Sequence, residues 1–254
     1  MRQKELEEVL NQYSDTYNRP DFIDNDPILI PHRFSKPQDI EIAGFFAAML
    51  AWGRRDIIIR NVNKIIAFMD DAPYDFILNH EEEDRKRFLH FVHRTFQPDD
   101  MLYFIHFLHW FYGHNDSLEN AFIPEKGARG MTERLVHFKD VFFSQEHLPR
   151  TRKHVQSPAN KSACKRLCLY LRWMVRPADT GVDFGIWKQI QPSELILPVD
   201  VHVHRTAKAL KLTKSKMPNW KVAEEITKKV GKFCPEDPCK YDFALFGMSL
   251  EGLV

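Results

Sequence analysis

Residues 197–205 read Leu-Pro-Val-Asp-Val-His-Val-His-Arg, and three of their side chains could do chemistry in two incompatible ways. Asp200, His202 and His204 have the Asp-x-His-x-His spacing of a metal site. Such a site needs a strand, where alternate residues point the same way and both imidazoles reach one ion. On a helix, His202 and His204 stand roughly 200° apart and chelate poorly. No histidine follows His204 to complete a ligand set. In the second reading Asp200 is the N-cap of a helix over 201–211, its carboxylate accepting from the first backbone N–H groups.

The surrounding pattern decides between strand and helix. Ile42, Phe45, Phe46, Met49 and Leu50 fall at i, i+3, i+4, i+7 and i+8, which predicts an amphipathic helix over 37–52. The same period predicts helices over 2–17, 56–69, 83–94, 99–112, 130–143, 218–231 and 238–250. Residues 21–34, rich in Asp and Pro, read as irregular. Residues 101–113 are apolar nearly all round, so that helix is expected to be deeply buried, with His106 and His109 as hydrogen-bonded core residues. Ser157 followed by Pro158 has the form of an N-cap and N1 proline, which predicts a helix over 158–176. Residues 177–199 read as a long connection with a short helix near 181–189. No paired strands, repeat or low-complexity linker is found. The expected fold class is all-α.

A chain of 254 residues with 44% hydrophobic residues can bury a sizeable core. No apolar run approaches the ~18–20 residues of a membrane span. The N-terminal sequence is charged and lacks the apolar centre of a signal peptide, so a cytoplasmic protein is expected. In that compartment Cys164, Cys168, Cys234 and Cys239 are expected to be reduced, and their spacings do not suit a zinc knuckle. Net charge is only +1, yet Arg150–Arg176 holds eight Lys/Arg and no acid, and Arg205–Lys216 holds five with no acid. Local basic surface of this kind suits a polyanion, the plainer reading being a solvated basic face.

The segment Val199-Asp200-Val201-His202-Val203-His204-Arg205 resembles the V-D-T-H-x-x-R segment of the helix-hairpin-helix DNA glycosylase superfamily, which includes endonuclease III and the 8-oxoguanine glycosylases. Residues 37–53 running into 54–66 are similar to that family's early helix pair. The archaeal-type 8-oxoguanine glycosylase branch is the most similar. Its lysine helix resembles residues 165–174, and its pocket-lining Asp and Trp are similar to Asp242 and Phe246 in "YDFALFGMSL". Trp52 falls near the position of a base-contacting glutamine. The L-P-G-x-G hairpin of the superfamily is absent, as is its four-cysteine iron–sulfur loop, so no cofactor is expected. The whole chain also resembles an uncharacterised bacterial family marked by "DPILIPHRF", "RWMVR" and "DFALFG".

The resemblance implies one glycosylase-like domain of two closely packed helical lobes with a cleft between them, lobe one being 1–36 plus 205–254 and lobe two 37–204. It implies base-excision repair of double-stranded DNA, with oxidised guanine the leading lesion, by a monomer associated with the nucleoid. Lys165 would be the nucleophile that forms a Schiff base, with Lys161 its rival one helical turn away. Asp200 would stabilise positive charge on the sugar and move protons. Lys161, Arg166 and Arg172 would act on the Lys165 amine as neighbouring cations. Trp52, Asp242 and Phe246 would form the base pocket. Arg54, Arg55, Arg152, Lys153, Lys161, His202, His204, Arg205 and Lys208 would contact DNA, mostly at phosphate. Two alternatives stay open: a non-catalytic nucleic-acid-binding protein of the same fold, and a metal-dependent hydrolase using His202 and His204.

Overall fold

A computed structural model describes residues 2–252. Among these residues the regular structure is helical, the sole β feature being an isolated bridge between His93 and Phe96. The fold class is all-α. The helices are α1 Gln3–Tyr17, α2 Pro37–Met49, α3 Arg55–Phe68, α4 Pro73–Asn79, α5 Glu82–Arg85, α6 Pro98–Tyr112, α7 Met131–Phe142, α8 Lys165–Val175, α9 Val201–Ala209, α10 Trp220–Val230 and α11 Tyr241–Leu250, with short 3-10 turns between several of them. No helix among the described residues is long and apolar enough to cross a membrane.

Contacts group the chain into two units. Unit one takes the chain up to Asp24, Gly130–Thr132, and everything from Ser157 onward. Unit two is Asn25–Arg129 and Glu133–Gln156. Residues 157–204 therefore group with 205–252, and of residues 37–156 only Gly130–Thr132 join them.

Unit two is built on phenylalanine. Phe122 and Phe138 stack at 4.1 Å, Phe107 and Phe142 lie 4.4 Å apart, and Phe104 meets Phe142 edge-on at 4.9 Å. Aromatic rings supply large apolar area and prefer such offset and edge contacts. Two buried carboxylates sit in this apolar surrounding, and each is satisfied by donors, as burial requires. Glu41 accepts from the Tyr112 hydroxyl at 2.7 Å and the Leu118 N–H at 3.0 Å. Asp100 accepts from Thr151 Oγ1 at 2.7 Å, Arg150 Nη1 at 2.9 Å and the Gln97 N–H at 2.9 Å.

In unit one, α11 packs against α1 and α9. Gly247 permits the close approach of α1: a Cβ there would stand 2.2 Å from Cδ2 of Tyr17. α11 in this way carries Asp242 and Phe246 into the unit that also holds α8 and α9.

Four local expectations are corrected. The helix predicted over 158–176 starts at Lys165. Ser157 does cap, accepting from the Ala159 N–H, but only for the 3-10 turn Pro158–Asn160. Lys161 and Cys164 then take positive φ, 57° and 51°, which ends any right-handed run before Lys165. Residues 181–189 form no helix, since Gly181 and Gly185 both have positive φ. The helix predicted over 83–94 stops after α5 and one 3-10 turn. His106 and His109 are exposed on α6, although His109 Nδ1 still faces the Ile77 carbonyl at 2.8 Å.

Candidate active site

The first residue of α8 is Lys165. Two tight steps place it there. After the turn at 158–160, Ser162 Oγ accepts from the Cys164 N–H at 3.1 Å, and the left-handed Cys164 is the N-cap. Leu167, Cys168, Tyr170 and Leu171 then bury against unit one, which leaves Lys165 half-buried at the start of the helix.

Asp200 stands at the start of α9 as the sequence predicts. Its Oδ1 accepts from the His202 N–H at 2.8 Å and the Val203 N–H at 2.9 Å. This satisfies two of the donors that a helix start leaves unpaired. Its other oxygen, Oδ2, lies 3.5 Å from Nζ of Lys165. The amine is 34% exposed and the carboxylate 17%. The pair is thus partly dehydrated yet open to a ligand.

Asp242, in the first turn of α11, completes the group. It is 5% exposed. Burial pushes its carboxyl up to about 6; Arg172 opposes this, the charge of Asp200 adds to it, and Lys165 opposes it in turn. Asp242 therefore senses both members of the Lys165–Asp200 pair. Arg172 Nη1 pairs with Asp242 Oδ2. Beneath it runs a buried ladder of charge. Arg172 Nε lies 3.3 Å from Asp183 Oδ1, Arg176 Nη1 pairs with Asp183, and Arg176 Nη2 reaches Asp237 at 2.8 Å. Both guanidinium groups lie over the Phe243 ring, at 4.4 and 5.4 Å.

The family model described as "Protein of unknown function (DUF2400)" matches residues 26–251, a span that takes in Lys165, Asp200, Asp242 and the whole ladder. The chain belongs to the DUF2400 family. No curated protein and no solved structure matches it.

Other candidate residues of this DUF2400 protein divide between the units. In unit one, His202 is exposed, with Nδ1 3.3 Å from Ser249 Oγ and its ring 6.4 Å from that of Phe246. Arg205 Nη2 donates to the same Ser249 hydroxyl at 2.7 Å. Phe246 is half-buried, and Lys208 and Lys161 are exposed. His204 corrects the sequence reading. It is 6% exposed, and burial, with Lys208 nearby, pushes its ring pKa down, so it lies in the core and offers little surface to a phosphate. His202 and His204 point into different surroundings, and no group of three or more His, Cys, Asp or Glu among the described residues is placed to hold a metal ion.

Lys161 also moves from its expected place. It lies in the left-handed turn before α8 and shares no helical face with Lys165. Arg172 does not act on Lys165 as a bare cation, since Asp242 and Asp183 take its charge. The basic run from Arg150 is correspondingly thinner at the surface: Arg172 and Arg176 are buried in ion pairs and Arg150 is tied to Asp100.

In unit two, Trp52 is half-buried, edge-on to His93 at 4.7 Å and stacked with His154 at 6.1 Å. Arg54 is exposed and pairs with Asp56 at 2.8 Å. Arg55, Arg152 and Lys153 are exposed, and Arg152 also lies over the Phe143 ring. The four cysteines form no disulfide and are buried. Burial pushes the thiols of Cys168 and Cys239 well up, which disqualifies them as nucleophiles at neutral pH.

The Asp183 ladder is the part that sequence reading missed. Its signal was Arg172 and Arg176, one turn apart among Leu171, Trp173, Met174 and Val175. Charges within so apolar a run must be paired. Their partners lie in the connection and before α11, and no local pattern names them.

Proposed function

We propose that this DUF2400 protein is a DNA base-excision glycosylase with lyase activity, acting on a damaged base flipped out of double-stranded DNA. The observation that carries the reading is the approach of Lys165 Nζ to Asp200 Oδ2, from two helices separated by a long connection. It supports the motif resemblance at the pair that the chemistry needs.

In this reading the deprotonated amine of Lys165 attacks C1′ of the flipped nucleotide. The glycosidic bond breaks, and its electron pair leaves with the base, which takes up a proton. While ionised, Asp200 favours the positive charge that develops on the sugar; it then receives the proton that the attacking nitrogen sheds and can pass it to the ring oxygen as the ring opens. The lone pair of nitrogen then opens the sugar ring to a Schiff base, from which loss of the C2′ proton expels the 3′ phosphate. Asp242, electrostatically coupled to the pair, and Phe246, one turn further along α11, would meet the base, with oxidised guanine the leading candidate. Arg205, Lys208 and His202 are exposed on α9 and suit phosphate contact. Arg54, Arg55, Arg152 and Lys153 offer the same chemistry on unit two. Acting on DNA would place the protein at the nucleoid.

The test is a panel of duplexes carrying different damaged bases, assayed for base release and for a borohydride-trapped adduct. At least one lesion should give both. Salt-sensitive binding to DNA with no release and no adduct from any lesion would instead support a binding protein without catalysis.

A further inference from the structure

The charge ladder beneath the site holds more acid than base. Lys165, Arg172 and Arg176 face Asp183, Asp200, Asp237 and Asp242, leaving one negative charge in excess. An excess of acid around buried groups raises the cost of keeping every carboxylate ionised. The centre of the ladder is Asp183, fully buried in the connection after α8, which stands between the two guanidinium groups.

We propose that Asp183 is a positioning residue for the site: it draws the Nε edge of Arg172 while Nη1 pairs with Asp242, so that the guanidinium is shared and its charge is not given wholly to Asp242 beside Lys165 and Asp200. The proposal deepens the reading above, since it concerns how the same site holds its third charged group.

Three features of the geometry support it. First, Arg172 is the only guanidinium that the described ion pairs give to Asp242, and it is shared. Second, Arg176 cannot relieve the shortage, since Asp183 and Asp237 both bind it. Third, Phe243 lies under both guanidinium groups and limits their freedom to swing toward one carboxylate. The groups that act on Asp242 among the described residues come from three places: Lys165, Cys168 and Arg172 on α8, Asp200 at the start of α9, and Cys239 just before α11, with none from α1. Among these Arg172 is the strongest force for ionisation. What holds Arg172 thus decides how readily Asp242 keeps a proton, and a protonated Asp242 can donate a hydrogen bond where an ionised one can only accept.

The test is a carbon-13 titration of the aspartate carboxyls in the full-length protein, without DNA. In the unmutated protein Asp242 should titrate well above ordinary carboxylates, and an ordinary midpoint overturns the proposal. In Asp183→Asn the competing charge on the Nε edge of Arg172 is gone, and the Asp242 midpoint should fall by about one pH unit or more. In Arg176→Gln, Asp183 loses its other partner and takes more of Arg172, so the Asp242 midpoint should rise. Opposite signs are required, and since lost charge acts through space with the same signs, Asp183→Asn is repeated in an Arg172→Gln background, where most of the fall should vanish; a fall of the same size there overturns the proposal. A role confined to packing would loosen the site in both variants and shift Asp242 the same way, and that result, or no shift in either, overturns the proposal. If one variant does not fold, the sign in the other decides. A lesion panel that yields no adduct sinks the glycosylase reading and leaves this titration standing. A failed titration with a trapped adduct sinks only the role of Asp183.

Discussion

Asp200 divides its carboxylate between two tasks, one oxygen holding the first turn of α9 and the other facing the amine of Lys165 at 3.5 Å. A residue in both roles can be dissected, because each role needs a different property. Capping needs an acceptor oxygen; the pairing with Lys165 needs charge. Asp200→Ala removes both and should cost about 1 kcal/mol for the cap, within a range of roughly 0.5–2. The partly exposed ion pair adds no more than about 1 kcal/mol. Asp200→Asn keeps the acceptor, so its urea midpoint should stay near that of the unmutated protein while adduct formation is lost. If Asn destabilises as much as Ala, the oxygen that caps is not the one described.

Asp242 gives a prediction with a definite sign. Its carboxyl is raised in the folded protein to about 6, against an ordinary 3.8. Between those values the folded state binds the proton more tightly than the unfolded chain. The contribution of this group is fully present below about 4 and is lost as pH rises through about 6. Comparing urea stability of the unmutated protein with Asp242→Asn from pH 4 to pH 7 isolates it. The advantage of the unmutated protein should shrink with rising pH over that window, by up to about 1.4 kcal/mol per pH unit. An advantage that grows with pH would mean that Asp242 is held ionised by Arg172.

Gly247→Ala tests the packing that brings α11 into place. The new methyl would lie 2.2 Å from Tyr17 Cδ2, so either the ring or α1 must move. Overpacking of a tight contact costs about 1–3 kcal/mol. Thermal unfolding should show the loss, and Tyr17→Ala in the same chain should recover part of it. A Gly247→Ala protein as stable as the unmutated one would place α1 farther from α11 than described.

Much of this fold could be read from sequence, for identifiable reasons. α2, α3, α6, α7 and α10 lie close to where the apolar period puts them, although α2 is buried on every side from Ile40 to Met49 and its period marks only part of what it buries. Asp200 was legible as a cap because capping is local chemistry between adjacent residues. The start of α8 was not. Ser157 and Pro158 gave a true start signal, but left-handed Lys161 and Cys164 stopped the helix, and neither residue type announces positive φ as glycine does. α4 was missed because a helix of seven residues carries too little period to register, though Pro73 stands at its first turn. His204 was misjudged because a histidine beside an arginine reads as surface, while its place on α9 turns it into the core. The ladder through Asp183 was invisible, since pairing between distant charges is a property of packing.

The central claim is that Lys165 is the nucleophile, and mapping the adduct tests it most directly. Borohydride reduction with a lesion-bearing duplex, followed by proteolysis and mass spectrometry, should place the sugar remnant on Lys165. Lys165→Gln should abolish the adduct and Lys161→Gln should leave it intact. A remnant on Lys161, or an adduct that survives Lys165→Gln, would contradict the account.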